Sequence, residues 1–286
     1  MLDDGTLQPA RPAGRGVDLV CGDRVAAEFD AVHREWRALR ALPRSSEVFR
    51  SNAQGRDERV AANVTQLIIV VAALPATDWF LVDRYLSAAA SAPAAAVLLR
   101  NKSDLDIDAA GREELNYFSR LGVPVIECAL QPSVRLGNLA AALRGHASLL
   151  VGQSGVGKSS LLRILLPESD ARVGELMRGE EGRHTTSATR YYTLPDGGAL
   201  LDSPGVRAFA PSLTRLEPRA LGFSEIAAHG ASCRFMDCAH MEEPGCAVRA
   251  AIGPEGISAR RYESYRRLRR MHSDATHHGV RHGPRR

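Results

Sequence analysis

Long apolar runs, paired cysteines and lysine are scarce or absent in this 286-residue sequence. The longest uninterrupted apolar run is LIIVVAAL at 67–74, and AAASAPAAAVLL is cut by Pro93. Both fall short of the ~20 residues a membrane span requires. The opening MLDDGTLQ is acidic and polar, so it is not read as a signal peptide. A cytoplasmic protein with no membrane partner is expected. Five cysteines, an odd number, argue against a disulfide framework. No segment repeats. Of 37 basic residues only Lys102 and Lys158 are lysine, and the other 35 are arginine. What an ammonium does at those two places that a guanidinium cannot is therefore a question the sequence itself poses.

The charge that is present is unevenly spread. Residues 1–62 carry 10 basic and 10 acidic groups, residues 63–210 carry 14 and 15, and residues 211–286 carry 13 and 8. The whole positive excess thus lies in the last quarter. These limits also mark three expected domains. The first, 1–62, has short strand-like stretches (LVCGDRVAAEF, EWRALRALP) that suit a small OB-like β-barrel, short for a complete one, with a polar, Arg-rich segment at 45–58. In 63–210, LIIVVAAL, AAVLLR, VPVIECA and SLLVG read as buried strands, and WFLVDRYLSAAA, REELNYFSRLG and LGNLAAALRG as helices between them. That alternation implies an α/β domain with a parallel sheet. RYYTLP and GALLD suggest a further strand pair. Beyond 210 the sheet pattern stops, and 211–286 is expected to be mostly helical and zinc-binding, with a basic tail.

GQSGVGKS at 152–159 fits G-x-x-x-x-G-K-[ST] and lies between a strand, SLLV, and a helix, SSLLRILL. Gly152, Gln153, Ser154, Gly155, Val156, Gly157, Lys158, Ser159 and Ser160 are expected to cradle nucleotide phosphates with backbone N–H groups at a helix N-terminus. Lys158 would reach the β- and γ-phosphates, and the Ser159 hydroxyl would ligate Mg²⁺. NKSD at 101–104 follows a strand. The Asp104 carboxylate accepts two hydrogen bonds side by side, which suits the adjacent N1–H and amine of guanine and not adenine. Asn101 would tie the loop together, Lys102 would lie along the base, and Ser103 completes the loop. GTP and GDP are the expected ligands. Asp202, in DSPG, would help to hold Mg²⁺, and the Gly205 N–H would sense the γ-phosphate. In GRHTTS at 182–187, Thr185 or Thr186 would complete the Mg²⁺ shell. Val206 occupies the position where Ras-like enzymes place a water-orienting Gln. Slow intrinsic turnover is expected, with His184 a candidate to complete the site.

Cys233, Cys238, His240 and Cys246 fall within fourteen residues and suit a Cys₃His zinc site, with His229 a rival fourth ligand. Cys21 and Cys128 read as small core residues. RRYESYRRLRR at 260–270 interleaves six arginines with two tyrosines, a composition suited to RNA phosphates and base stacking.

NKSD precedes the phosphate loop here, the reverse of the familiar order. In this the sequence resembles the circularly permuted GTPases, and more closely the ribosome small-subunit-dependent GTPase A family (RsgA). The stretches that match are AANV, NKSDL, GQSGVGKSSLL, GRHTTS, LPDGGALLDSPGVRAF and the cysteine cluster. The resemblance implies a GTP hydrolase stimulated by the 30S subunit, acting late in that subunit's maturation, with 16S rRNA as partner, as a monomer. It favours His240 as the zinc ligand. It also implies a guanine contact at Cys128-Ala129, where the family usually has Ser-Ala. A GTP-dependent RNA- or ribosome-binding module with negligible hydrolysis is the alternative. A P-loop ATPase or small-molecule kinase is the third reading, disfavoured by NKSD and the basic tail.

Overall fold

The computed structural model describes the chain except residues 1–5, 7, 15, 53–54, 130–135, 167–171, 177–188, 196, 203–210 and 281–286, and only the backbone at 136, 172–176, 189 and 278–280. Five short strands fill the first sixty residues: β1 (Ala10–Pro12), β2 (Val25–Asp30), β3 (Glu35–Ala41), β4 (Glu47–Ser51) and β5 (Asp57–Ala62). β2 and β3 pair as an antiparallel hairpin, with β1 parallel to β3, while β4 and β5 make a second hairpin. One bridge, Cys21 to Ala61, joins the two groups. Five strands is the number an OB-type barrel uses, but among the described residues backbone pairing leaves this one open. The second hairpin is formed by the segment read only as polar and Arg-rich. Two ion pairs cross it, Arg50 with Glu58 at 2.8 Å and Arg59 with Glu47 at 2.6 Å, beside the buried apolar pair Val48 and Ala61. Opposite charges facing each other across strands stabilise pairing without an apolar alternation to betray it.

The central sheet is built from β6 (Gln66–Val71), β7 (Ala95–Arg100), β8 (Val125–Glu127), β9 (Ala147–Gly152), β10 (Arg172–Leu176), β11 (Thr189–Thr193) and β12 (Ala199–Asp202). Helices α1 (Trp79–Ser91), α2 (Ala109–Arg120), α3 (Leu136–Leu143) and α4 (Lys158–Leu165) connect them. The strand order is β10-β11-β12-β9-β6-β7-β8, parallel from β12 to β8 and antiparallel at β10 and β11. β6 is buried at all six positions, which is why it reads as one apolar run. Leu67, Ile69 and Val71 face Tyr85 and Phe118 on one side, and Ile68 and Val70 face Leu139, Leu143 and Leu161 on the other. The sheet half β6-β7-β8 precedes β9 in the chain yet lies beyond it in space. No helix among the described residues is long and apolar enough to cross a membrane.

Past the sheet come α5 (Ser224–Gly230), α6 (Ala247–Ala250) and α7 (Ala259–Val280), around Phe223, Ile226, Tyr265 and Leu268. The reading of the two tyrosines in 260–270 as base-stacking rings is corrected here. Tyr265 is fully buried and donates to Ala239 O at 2.9 Å, and the half-buried Tyr262 donates to His240 O at 2.8 Å. Helical periodicity turns one face of the segment inward, so these rings belong to the core and not to a ligand. Arg261 is buried as well, pairing with Asp83 at 2.5 Å and with both carboxylate oxygens of Glu225 at 2.7 and 3.1 Å. Its guanidinium lies 4.1 Å from the Phe223 ring centroid. Arg260 pairs with Asp83 and Glu114. Burial by itself would lower the pKa of Arg261, but the charges of Asp83 and Glu225 outweigh it and hold it above the usual arginine range.

This cluster fastens α7 to α1 and α2. Removing one partner of a buried ion network leaves the others desolvated without compensation. Arg261→Ala is therefore expected to cost about 3–5 kcal/mol of unfolding free energy. Denaturant melts of the full chain would read this as a lower midpoint at constant slope, and an unchanged midpoint would count against it.

Candidate functional site

The parallel strands all end at one edge, where loops of such sheets converge on ligands. That edge gathers the end of β9 with the phosphate loop, NKSD after β7, Cys128 and Ala129 after β8, and Asp202 at the end of β12. Asp202 lies opposite Arg190 on β11.

Two glycines decide the phosphate loop's path. Gly152 has φ +143° and passes so close to β6 that a Cβ there would lie 2.4 Å from Val70 O. Gly157, at φ +99°, takes the left-handed conformation as N-cap of α4 and offers no side-chain acceptor to the helix amides. The first turn of α4 thus presents N–H groups to a bound anion. Lys158 is buried and its Nζ donates to Gly152 O at 2.7 Å and Gln153 O at 2.6 Å, which holds the ammonium across the loop. Ser159 and Ser160 are half-buried on the same turn, Val156 is buried, and Ser154 and Gly155 are exposed.

The base-reading loop is laced directly to this one. Asn101 is fully buried, and its Nδ2 donates to Val156 O at 2.7 Å while its Oδ1 has no partner among the described residues. Lys102 has φ +54°, a strained conformation for a long side chain. From there its Nζ donates to Gly155 O at 2.9 Å and to Leu74 O at 2.7 Å. Ser103 N donates to Cys128 O at 3.0 Å, and Cys128 N to Arg100 O at 2.8 Å, so the ends of β7 and β8 are joined. Cys128 is buried, which pushes its thiol pKa up, as befits a core residue, and Ala129 beside it is half-buried. Asp104 is exposed.

The donor set fits the phosphates of a nucleotide: a loop whose curvature needs glycine, two buried or bridging lysines, and the amides of the first turn of α4. His184, Thr185, Thr186, Gly205 and Val206 lie outside the described residues. Sequence reasoning missed the segment after β6, which closes over the phosphate loop. Leu74 O takes Lys102, Asp78 N donates to Gln153 Oε1 at 3.1 Å, and the Asp78 carboxylate caps α1 through Leu81 N. The one available signal was the acidic N-cap in PATDWF, ahead of a helical pattern.

The cysteine cluster forms as well. The ligand atoms of Cys233, Cys238, His240 and Cys246 all lie within 4.8 Å of one another. Cys233 Sγ is 3.5 Å from His240 Nδ1 and 3.9 Å from Cys246 Sγ, and Cys246 Sγ is 3.6 Å from that nitrogen. These separations suit the edges of a tetrahedron that a zinc ion would occupy, since zinc–sulfur bonds of about 2.3 Å imply S···S separations near ~3.8 Å. His229, the rival ligand, is exposed on α5 and outside the cluster. Glu243 accepts from the N–H groups of Ala239, Met241 and Glu242, which braces the loop. Burial opposes the charge of Glu243, but these donors outweigh it and lower its pKa.

The RsgA GTPase family model matches residues 41–211. The chain is 42% identical over 262 residues to the small ribosomal subunit biogenesis GTPase RsgA of Azotobacter vinelandii, covering 87% of this chain and 74% of that protein. It is 44% identical over 273 residues to the protein of the same name from Bordetella pertussis, covering 93% and 90%. Its fold is similar to YjeQ from Thermotoga maritima, with a TM-score of 0.71 and 24% identity over 96% of this chain and 92% of that one. It is likewise similar to YloQ, a circularly permuted GTPase, with a TM-score of 0.64 and 23% identity over 96% and 88%.

The exposed Asp104 generates a clean test. Asp104→Asn is expected to weaken GDP binding at least tenfold while leaving the fold intact, since a carboxylate that accepts two donors is replaced by an amide that presents a donor to one of them. Competition between GDP and ADP for a fluorescent nucleotide reads the change in preference. An unaltered preference would mean that the base is read elsewhere.

Proposed function

The chain belongs to the RsgA GTPase family, and from that premise we propose that it binds GTP and hydrolyses it to GDP and phosphate, stimulated by the 30S subunit late in that subunit's maturation. The observation that carries this is the pair of bonds from Asn101 to Val156 and from Lys102 to Gly155, which make base recognition and phosphate binding a single constellation. In this reading water attacks the γ-phosphorus in line and the GDP oxygen leaves. Lys158 and the α4 amides offset the charge on the phosphates. The Ser159 hydroxyl and Asp202, with Thr185 or Thr186, would hold Mg²⁺, which would supply positive charge against the phosphate oxygens. His184 orients the attacking water where Val206 cannot, and the Gly205 N–H senses the γ-phosphate.

Three units divide the labour: 1–62 faces rRNA, 63–210 holds the nucleotide, and 211–286 carries one structural zinc on Cys233, Cys238, His240 and Cys246. With all four positions supplied by protein, that metal stabilises the fold and performs no chemistry. The site of action is the cytoplasm, where subunits are assembled, and the rRNA partner is the 16S molecule.

The test is GTP turnover by the purified protein with and without small ribosomal subunits, with ATP as control. Slow turnover that rises sharply with subunits is expected. Tight GTP binding with no acceleration would instead favour a nucleotide-dependent binding module, and ATP turnover would overturn the guanine assignment. Elemental analysis is expected to give one zinc per chain, and chelation to lower the thermal midpoint by several degrees. His240→Ala should lose the metal, whereas His229→Ala should retain it.

A further inference from the structure

The six arginines of 260–270 divide by partner. Arg260 and Arg261 are held by Asp83, Glu114 and Glu225, Arg266 pairs with Glu263, and Arg269 donates to Pro218 O. Arg267 and Arg270 are exposed, and neither has a carboxylate partner among the described residues. The Arg267 guanidinium sits 4.0 Å from the ring centroid of Phe80, on α1. One turn further along α1 stands Arg84, half-buried, with a buried Nε and no hydrogen-bond or ion-pair partner among the described residues. The charge of Arg267 acts on it unfavourably. Asp78 is the carboxylate whose charge reaches it, but one oxygen of that group is engaged by Leu81 N as the cap of α1.

Two like charges held together, one of them partly desolvated, destabilise a fold unless an anion completes them. Everywhere else on this seam the protein supplies that anion itself. The anion that suits a pair of guanidinium forks is a phosphate oxygen pair, and the Phe80 face holds one fork in position. The surroundings favour a nucleic-acid backbone over a protein. None of the exposed large hydrophobic side chains lies on α1 or α7 among the described residues, so the face lacks the apolar anchor on which protein interfaces depend. Arg270 extends the line of charge along α7, in the quarter of the chain that carries the net excess of positive charge.

We infer that Arg84 and Arg267, continued by Arg270, form a clamp for the phosphodiester backbone of RNA on the seam between α1 and α7. The inference rests on the RNA partner proposed above and adds to the face of 1–62 a second contact with named residues.

The test uses the full chain loaded with a non-hydrolysable GTP analogue, and two probes: purified small ribosomal subunits and a duplex RNA oligonucleotide, each titrated over a range of KCl. For R84Q/R267Q the slope of log affinity against log salt is expected to become less negative by about 2, with affinity at low salt falling about tenfold or more. R84K, which keeps the charge and loses the fork, should fall between. GDP affinity should not change. The thermal midpoint of R84Q should hold or rise, because no protein partner is lost. Unchanged slopes on both probes would overturn the clamp, as would a large drop in thermal midpoint, which would make Arg84 structural. Loss of binding to a poly-glutamate peptide with RNA binding intact would also overturn it, in favour of a protein partner. If wild-type protein ignores subunits but binds duplex RNA through both arginines, the ribosomal reading fails and the clamp stands.

Discussion

Two hydrogen bonds make one site of two motifs. Asn101 Nδ2 to Val156 O and Lys102 Nζ to Gly155 O span more than fifty residues of sequence and join the NKSD loop to the glycine-rich loop after β9. In a chain whose sheet halves are connected in permuted order, nothing along the backbone places these loops side by side. The parallel register of β6 against both β7 and β9 does so, and the two side chains then fix the distance. Gly152 is the other half of the constraint, because only a residue without Cβ lets β9 turn away beneath Val70.

Helix α1 extends that constraint across the molecule. Its N-terminus receives Gln153 from the phosphate loop, and its buried Asp83 receives Arg260 and Arg261 from α7. One rigid element therefore contacts the nucleotide loop at one end and the C-terminal helix along its length. On α7 the cysteine cluster is secured by Tyr262 and Tyr265, which donate to His240 O and Ala239 O within the ligand loop. A helix that is basic in composition is thus chiefly a structural spine, and only its outward arginines are free for anions. The second hairpin enters the same framework from the other side. Asp57 on β5 accepts from Ser212, Thr214 and Arg215 just beyond the sheet. Burial opposes ionisation there, but the three donors outweigh it and hold the carboxyl below the usual range. A depressed folded pKa contributes stability that is present above the usual carboxylate range and fades as pH falls through the lowered value.

What could be read from the sequence and what could not separate along physical lines. Buried strands such as β6, β7 and β9 are legible because both faces are apolar, and the glycine-lysine spacing of the phosphate loop is legible because its backbone tolerates few alternatives. The β4–β5 hairpin is not, since the charges that pair across it, Arg50 with Glu58 and Arg59 with Glu47, look like a solvated loop. Nor is the fate of the arginines, which depends on carboxylates far away in sequence: Arg261 meets Asp83 and Glu225, and no local pattern announces either. The cysteine spacing pointed to the cluster and the family resemblance to His240 over His229, and the fold agrees, since it leaves His229 exposed on α5 and outside the cluster.

The scarcity of lysine follows from the same geometry. Each of the two lysines donates to two backbone carbonyls that converge on one point, Lys158 on Gly152 and Gln153, Lys102 on Gly155 and Leu74. An ammonium is a compact head with three donors free to rotate toward whatever oxygens the loop presents. A guanidinium is planar, its donors diverge in fixed directions, and it could not enter the loop without prising the carbonyls apart. Arginine is used where flatness helps, as when Arg261 forks onto Glu225 while its face lies against Phe223. The chain's overwhelming preference for arginine therefore yields at the two points where positive charge must pass through a curved backbone, one in each of the two loops that Asn101 and Lys102 join.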